Sequence, residues 1–144
     1  MTNDAPQPPP TPSDFMRFGI PIMLLHGPML EAGLIVGHND EPLYWHIPND
    51  RTVVSLPDSG DLWGKLWAHF KYGSLKGFAH SHPGSGIPAP SHTDVTTFAA
   101  IESGLGTTLD WWITSRDHVV LLRRVPPGTH NTPGFQHAYF STVI

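Results

Sequence analysis

The chain has 144 residues, 39% apolar and 14% charged, with a formal net charge of −4; that length and apolar share supply one core rather than two. Eight Lys and Arg, scattered against twelve Asp and Glu, exclude a protein that holds nucleic acid or a membrane surface by charge alone, and no apolar run approaches the ~18–20 residues of a membrane span. The absence of cysteine excludes disulfide scaffolds, thiolate zinc sites and cysteine nucleophiles.

Residues 1–14 contain Pro6, Pro8, Pro9, Pro10 and Pro12 and almost no apolar side chains, which predicts a flexible or polyproline-like tail. They lack the basic and apolar regions of a secretory signal, so a cytoplasmic protein is expected. A single domain is expected over residues 15–144. Residues 16–25 read as a strand, interrupted by Gly19 and Pro21. Leu34, Ile35 and Val36 form a strand that ends at Gly37, and residues 38–42 turn the chain into a short aromatic strand over 43–47. Residues 52–56, Thr-Val-Val-Ser-Leu, read as a further strand closed by Pro57.

Ser59 opens a helix whose Leu62, Trp63, Leu66, Trp67 and Phe70 form one apolar stripe; Gly73 ends it. Trp63 and Trp67 are expected in the core or at its edge, with Trp111 and Trp112. Residues 75–80 read as a strand running into a Gly- and Pro-rich loop over 83–90. Ser91 begins a second helix, stopped by Gly104 and Gly106. Strands over 109–114 and 118–125 flank a turn at 115–117, residues 126–134 are loop, and 136–144 form a last strand. Helices between some strands predict an α/β or α+β domain around one sheet.

Without cysteine, a metal site must use His, Asp and Glu, and the chain has ten histidines. His80 and His82 stand two apart at the end of a strand, which puts both imidazoles on one face. Two such rings can share one zinc ion, with a third protein ligand and a position left for water. Asp94, in the first turn of the next helix, can supply that ligand. Ser91 and Asp94 also form an S-x-x-D capping pattern, and both readings of Asp94 stay open. His26, His38, His46, His69, His118, His130 and His137 have no ligand spacing and read as surface or loop groups.

His80-Ser81-His82-Pro83 followed by Pro90-Ser91-His92-Thr93-Asp94 resembles the H-x-H-P…P-S-x-x-D motif of the JAMM (MPN/JAB) metalloprotease family, over roughly residues 29–125. The resemblance implies the MPN (JAB-type) fold, a mixed central β-sheet flanked by helices and similar to the cytidine deaminase-like architecture. It implies that His80, His82 and Asp94 ligate Zn2+ and that Ser91 hydrogen-bonds the oxyanion of the tetrahedral intermediate. It further implies that Glu31, in Glu31-Ala32-Gly33-Leu34-Ile35-Val36-Gly37, is the general base, with Glu41 as the reserve; this segment is one residue shorter than the family's between acid and glycine, so a bulge at Gly33 is expected to keep the carboxylate on the site face. The implied activity is hydrolysis of a peptide or isopeptide bond, at the C-terminal tail of a ubiquitin-like or sulfur-carrier protein, with no nucleic-acid or membrane partner. Family members without the metal site serve as interaction scaffolds, the alternative reading.

Overall fold

The computed structural model describes residues 30–125 and 139–144. The expected tail over 1–14, the strand over 16–25 and the loop over 126–134 lie outside the described residues. The elements are β1 (Gly33–Gly37), β2 (Pro42–His46), α1 (Gly60–Lys71), β3 (Leu75–Ser81), α2 (His92–Leu105), β4 (Asp110–Thr114), β5 (Val119–Arg124) and β6 (Tyr139–Val143).

The six strands form one mixed sheet in the order β2-β1-β3-β4-β5-β6, so the fold is α/β. Every neighbouring pair is antiparallel except β3 and β4, which are parallel, with His80 opposite Ile113. A parallel pair needs a crossover, and α2 is that crossover. Side chains alternate between the two faces of the sheet. Ile35, Phe78, Trp111, Ile113, Val120 and Leu122 on one face pack with residues of both described helices, among them Leu62, Leu66, Phe98 and Ile101. Leu34, Val36, Ala79, Trp112 and Val119 form a second buried cluster on the other face. Among the described residues no helix is long and apolar enough to cross a membrane.

Helix α1 starts where Ser59 Oγ accepts from Leu62 N at 3.1 Å, and it carries Asp61 in its first turn and His69 and Lys71 in its last, in the sense that the helix dipole favours. Its buried line is Leu62 and Leu66 alone. Trp63 and Trp67, expected in or beside the core, are 37% and 48% exposed. A helix turns ~100° per residue, which carries positions 63 and 67 off the contact line. The Trp63 indole donates instead to Asp58 at 3.2 Å, and Trp67 packs on Phe70. Helix α2 runs through Gly104 and stops at Gly106, whose φ of 74° is the left-handed cap that glycine adopts without strain.

Residues 52–56 form no strand. Thr52 N donates to Ser55 O at 2.8 Å to close a turn, and Val53 and Val54 are exposed. Their β-branched composition favours a strand, but the chain turns at Thr52–Ser55 and Thr52 O is taken by Glu31 N instead of a strand ladder.

One buried carboxylate ties α2 to three strands. Glu102 Oε1 accepts from Tyr139 OH at 2.7 Å and Arg124 Nε at 2.9 Å, and Oε2 accepts from Leu109 N at 2.9 Å and Trp111 Nε1 at 3.1 Å. Burial and the Glu102 carboxylate hold the Tyr139 phenol protonated well above its ordinary range. Glu102→Ala leaves the buried donors of Leu109, Trp111 and Tyr139 without their acceptor, and each such unsatisfied group costs about 1–3 kcal/mol. Urea unfolding measures that loss; a change below about 1 kcal/mol, the net worth of one ordinary hydrogen bond, would show that the carboxylate does not hold these elements together.

Candidate metal centre

The C-terminal end of β3 and the N-terminus of α2 meet at one point. His80 and Phe78 share the helix-covered face of β3, and His82 follows the strand's last residue with its backbone N donating to Thr114 O at 2.8 Å. The ring of His80 packs edge-on against Phe98 of α2 and against His82, with centroids at 6.0 and 4.8 Å. Their Nε2 atoms lie 3.0 Å apart.

Asp94 fulfils the capping reading and also lies beside the two histidines. Ser91 Oγ accepts from Asp94 N at 3.0 Å while Asp94 Oδ2 accepts from Ser91 N at 2.8 Å, a reciprocal cap. The same carboxylate faces the histidines, with Oδ1 3.3 Å from His80 Nε2 and Oδ2 3.1 Å from His82 Nε2. Because Ser91 Oγ serves the cap as an acceptor, its own O–H remains available as a donor.

Glu31 lies just before β1, two residues from Gly33 and therefore on the same face. Gly33 stands opposite His46 in β2 and His80 in β3. The expected bulge at Gly33 is absent; the register shifts instead between Ile35 and Val36 and between Val36 and Gly37. Gly33 answers a different need, since a Cβ there would stand 2.4 Å from the end of the Phe78 ring. The approach of Glu31 is held by its backbone N, which donates to Thr52 O at 2.8 Å. Ala32 is held by Ser81, whose N donates to Ala32 O and whose Oγ accepts from Ala32 N, both at 2.9 Å. Glu31, His80 and His82 offer ligand atoms within 4.8 Å of one another, a group that could hold a metal ion.

The donor set fits such an ion. Ligands at ~2.0–2.1 Å around a tetrahedral centre are separated by ~3.3–3.4 Å. The His80–Asp94 Oδ1 separation of 3.3 Å matches that span, while those of 3.0 Å between the histidines and 3.1 Å from His82 to Asp94 Oδ2 are shorter, the carboxylate using a different oxygen toward each ring. Electrostatics bind the group together. Burial raises the carboxyl of Glu31 above its ordinary value, opposed by the charges of His80 and His82. Burial also works against ionisation of Asp94, but hydrogen bonds from both histidines and from Ser91 N win, and its carboxyl falls far below the usual range. For His82, burial opposes protonation, and the hydrogen bond and charge of Asp94 outweigh it.

Two further residues serve the site without being readable as site residues. Ser81, the middle residue of H-x-H, faces away from the rings and fixes the segment that carries Glu31. His46, expected at the surface, is 2% exposed and its Nε2 donates to Pro57 O at 2.6 Å. Its place on the site face follows from the period-two alternation of β2, a signal legible once the strand pairs are known. His46 borders a cavity of about 590 Å3 that opens on Glu31, His80, His82 and Asp94. No protein-family model and no curated protein matches this chain.

Ser81→Ala removes the acceptor of the buried Ala32 N–H, a loss of about 1–3 kcal/mol. The expected result is faster hydrogen exchange at Ala32 in a folded protein. Unchanged exchange there would show that Ser81 does not anchor the Glu31 segment.

Proposed function

We propose that this chain is a zinc-dependent metallopeptidase of the JAMM/MPN type, with the MPN fold, that hydrolyses a peptide or isopeptide bond in a protein substrate. The observation that carries the reading is the meeting of His80, His82 and Asp94, with side-chain N and O atoms 3.0–3.3 Å apart, and the Glu31 carboxylate beside the histidines. The C-terminal tail of a ubiquitin-like or sulfur-carrier protein is the substrate that the sequence resemblance implies, and the cytoplasm is the expected compartment.

His80, His82 and Asp94 would hold the zinc ion. When bound, zinc acts as a Lewis acid and brings the pKa of a coordinated water to about 7. Nitrogen and oxygen donors with no thiolate suit an open, hydrolytic site. Glu31 then takes a proton from the attacking water on its carboxylate. As water oxygen bonds to the carbonyl carbon and the C–N bond breaks, Glu31 returns that proton to the leaving amine. The hydroxyl of Ser91, with its oxygen already engaged in the helix cap, directs its proton at the developing oxyanion. The cap fixes Ser91 and Asp94 on one turn of α2, so donor and ligand keep a constant separation.

Glu31→Gln keeps the shape of the side chain and loses its basicity. The expected outcome is a fall in kcat of roughly a hundredfold or more, measured on a ubiquitin-like tail fusion, with zinc content equal to wild type. Wild-type turnover in this variant would remove Glu31 from the mechanism.

A further inference from the structure

The cavity beside the metal centre is larger and more apolar than hydrolysis of an amide requires. Its volume is about 590 Å3, while a cavity of about 150 Å3 suffices for a benzene ring. Glu31, His80, His82 and Asp94 lie at one end, with Phe98 packed beside His80. The loop over 53–56 and the start of α1 contribute the apolar side chains Val53, Val54, Leu56, Leu62 and Trp63, together with Ser55 and Asp58. No lysine or arginine lies among the described lining residues, so nothing in these walls neutralises an acidic side chain or a terminal carboxylate. The one acidic group in the far wall, Asp58, accepts the hydrogen bond of the Trp63 indole.

The wall is also built to stay in place. The segment over residues 52–57 is tied at one end by Glu31 N to Thr52 O and at the other by His46 Nε2 to Pro57 O. The backbone that holds the general base therefore also holds Val53, Val54 and Leu56. Trp63 is turned out of the core and steadied by Asp58, which leaves a flat apolar surface at the cavity's side.

We propose that this cavity is a specificity pocket for a large, neutral, apolar side chain on a residue flanking the scissile bond, with Trp63 and Val54 as specificity-determining residues. The proposal rests on the peptidase reading for the bond it flanks. It refines the substrate class from any extended tail to one with an aromatic or large aliphatic residue at the cleavage point. In an apolar pocket one methylene discriminates by about 10–200-fold, so a benzyl group against a hydrogen gives at least tenfold.

The test uses the full chain loaded with zinc and paired peptides that differ only in Phe, Leu, Gly, Asp or Lys at each flanking position. Binding of uncleaved peptides is measured by titration calorimetry on Glu31→Gln, and kcat/KM is measured on wild type. The expected result is at least about tenfold tighter binding of Phe or Leu than of Gly, Asp or Lys at one position, with the same order in kcat/KM. Trp63→Ala and Val54→Asp should each cut the Phe-over-Gly ratio about tenfold, mainly through KM. Equal binding of Phe and Gly peptides overturns the pocket even if wild type cleaves both. Preferential binding of Phe with no cleavage of any peptide overturns the peptidase reading and leaves the pocket standing as a binding site. Unchanged ratios in both variants overturn the assignment of Trp63 and Val54.

Discussion

One carboxylate closes two structures at once. Asp94 completes the first turn of α2 through the reciprocal hydrogen bonds with Ser91, and it completes a triangle with His80 and His82. The two roles share one carboxylate, with Oδ2 facing both Ser91 N and His82 Nε2, so the start of the helix and the histidine contacts are tied together. The parallel pairing of β3 with β4 is what brings them together. It obliges the chain to cross over by a helix, and that helix begins just past the strand end that carries the histidines. In open α/β sheets the carboxyl ends of the strands are where ligands bind, and this site obeys that rule.

Bringing two imidazoles and two carboxylates into partial burial is costly unless they satisfy one another. Here each has partners. Asp94 accepts from three donors, Glu31 faces both histidines, and no buried side-chain polar atom among the described residues lacks a hydrogen-bond partner. The surrounding structure absorbs the cost through fixed backbone. Ser81 grips Ala32, Thr52 grips Glu31, and the Glu102 network anchors the far end of α2 to β4, β5 and β6. The cavity then lies between the sheet face and the tethered loop over 52–57, next to Glu31, His80, His82 and Asp94.

Much of this arrangement is legible in the sequence. The i, i+2 spacing of His80 and His82 puts both at one place on the sheet, and S-x-x-D marks the start of α2. The order of strands and helices around a single sheet follows from periodicity and turn residues. What escapes is whatever depends on neighbours distant in sequence. The β-branched run at 52–56 looks like a strand, because local composition does not reveal the turn closed by Thr52 N on Ser55 O or the distant Glu31 that takes Thr52 O. Trp63 and Trp67 look like core residues, because their spacing fits a helix stripe wider than the one the sheet contacts. His46 looks like a surface residue until the pairing of β2 with β1 places it across from Gly33. No bulge stands at Gly33, the register shifts falling after it at Ile35/Val36 and Val36/Gly37, and Gly33 is instead made necessary by the ring of Phe78.

The proposed zinc site of His80, His82 and Asp94 is tested by the metal content of untagged, zinc-equilibrated protein, wild type beside His82→Ala. About one zinc per chain is expected in wild type, since sites of this donor type hold a single ion, and its loss is expected in the variant with the fold retained. Zinc bound equally by both, or by neither, would contradict it.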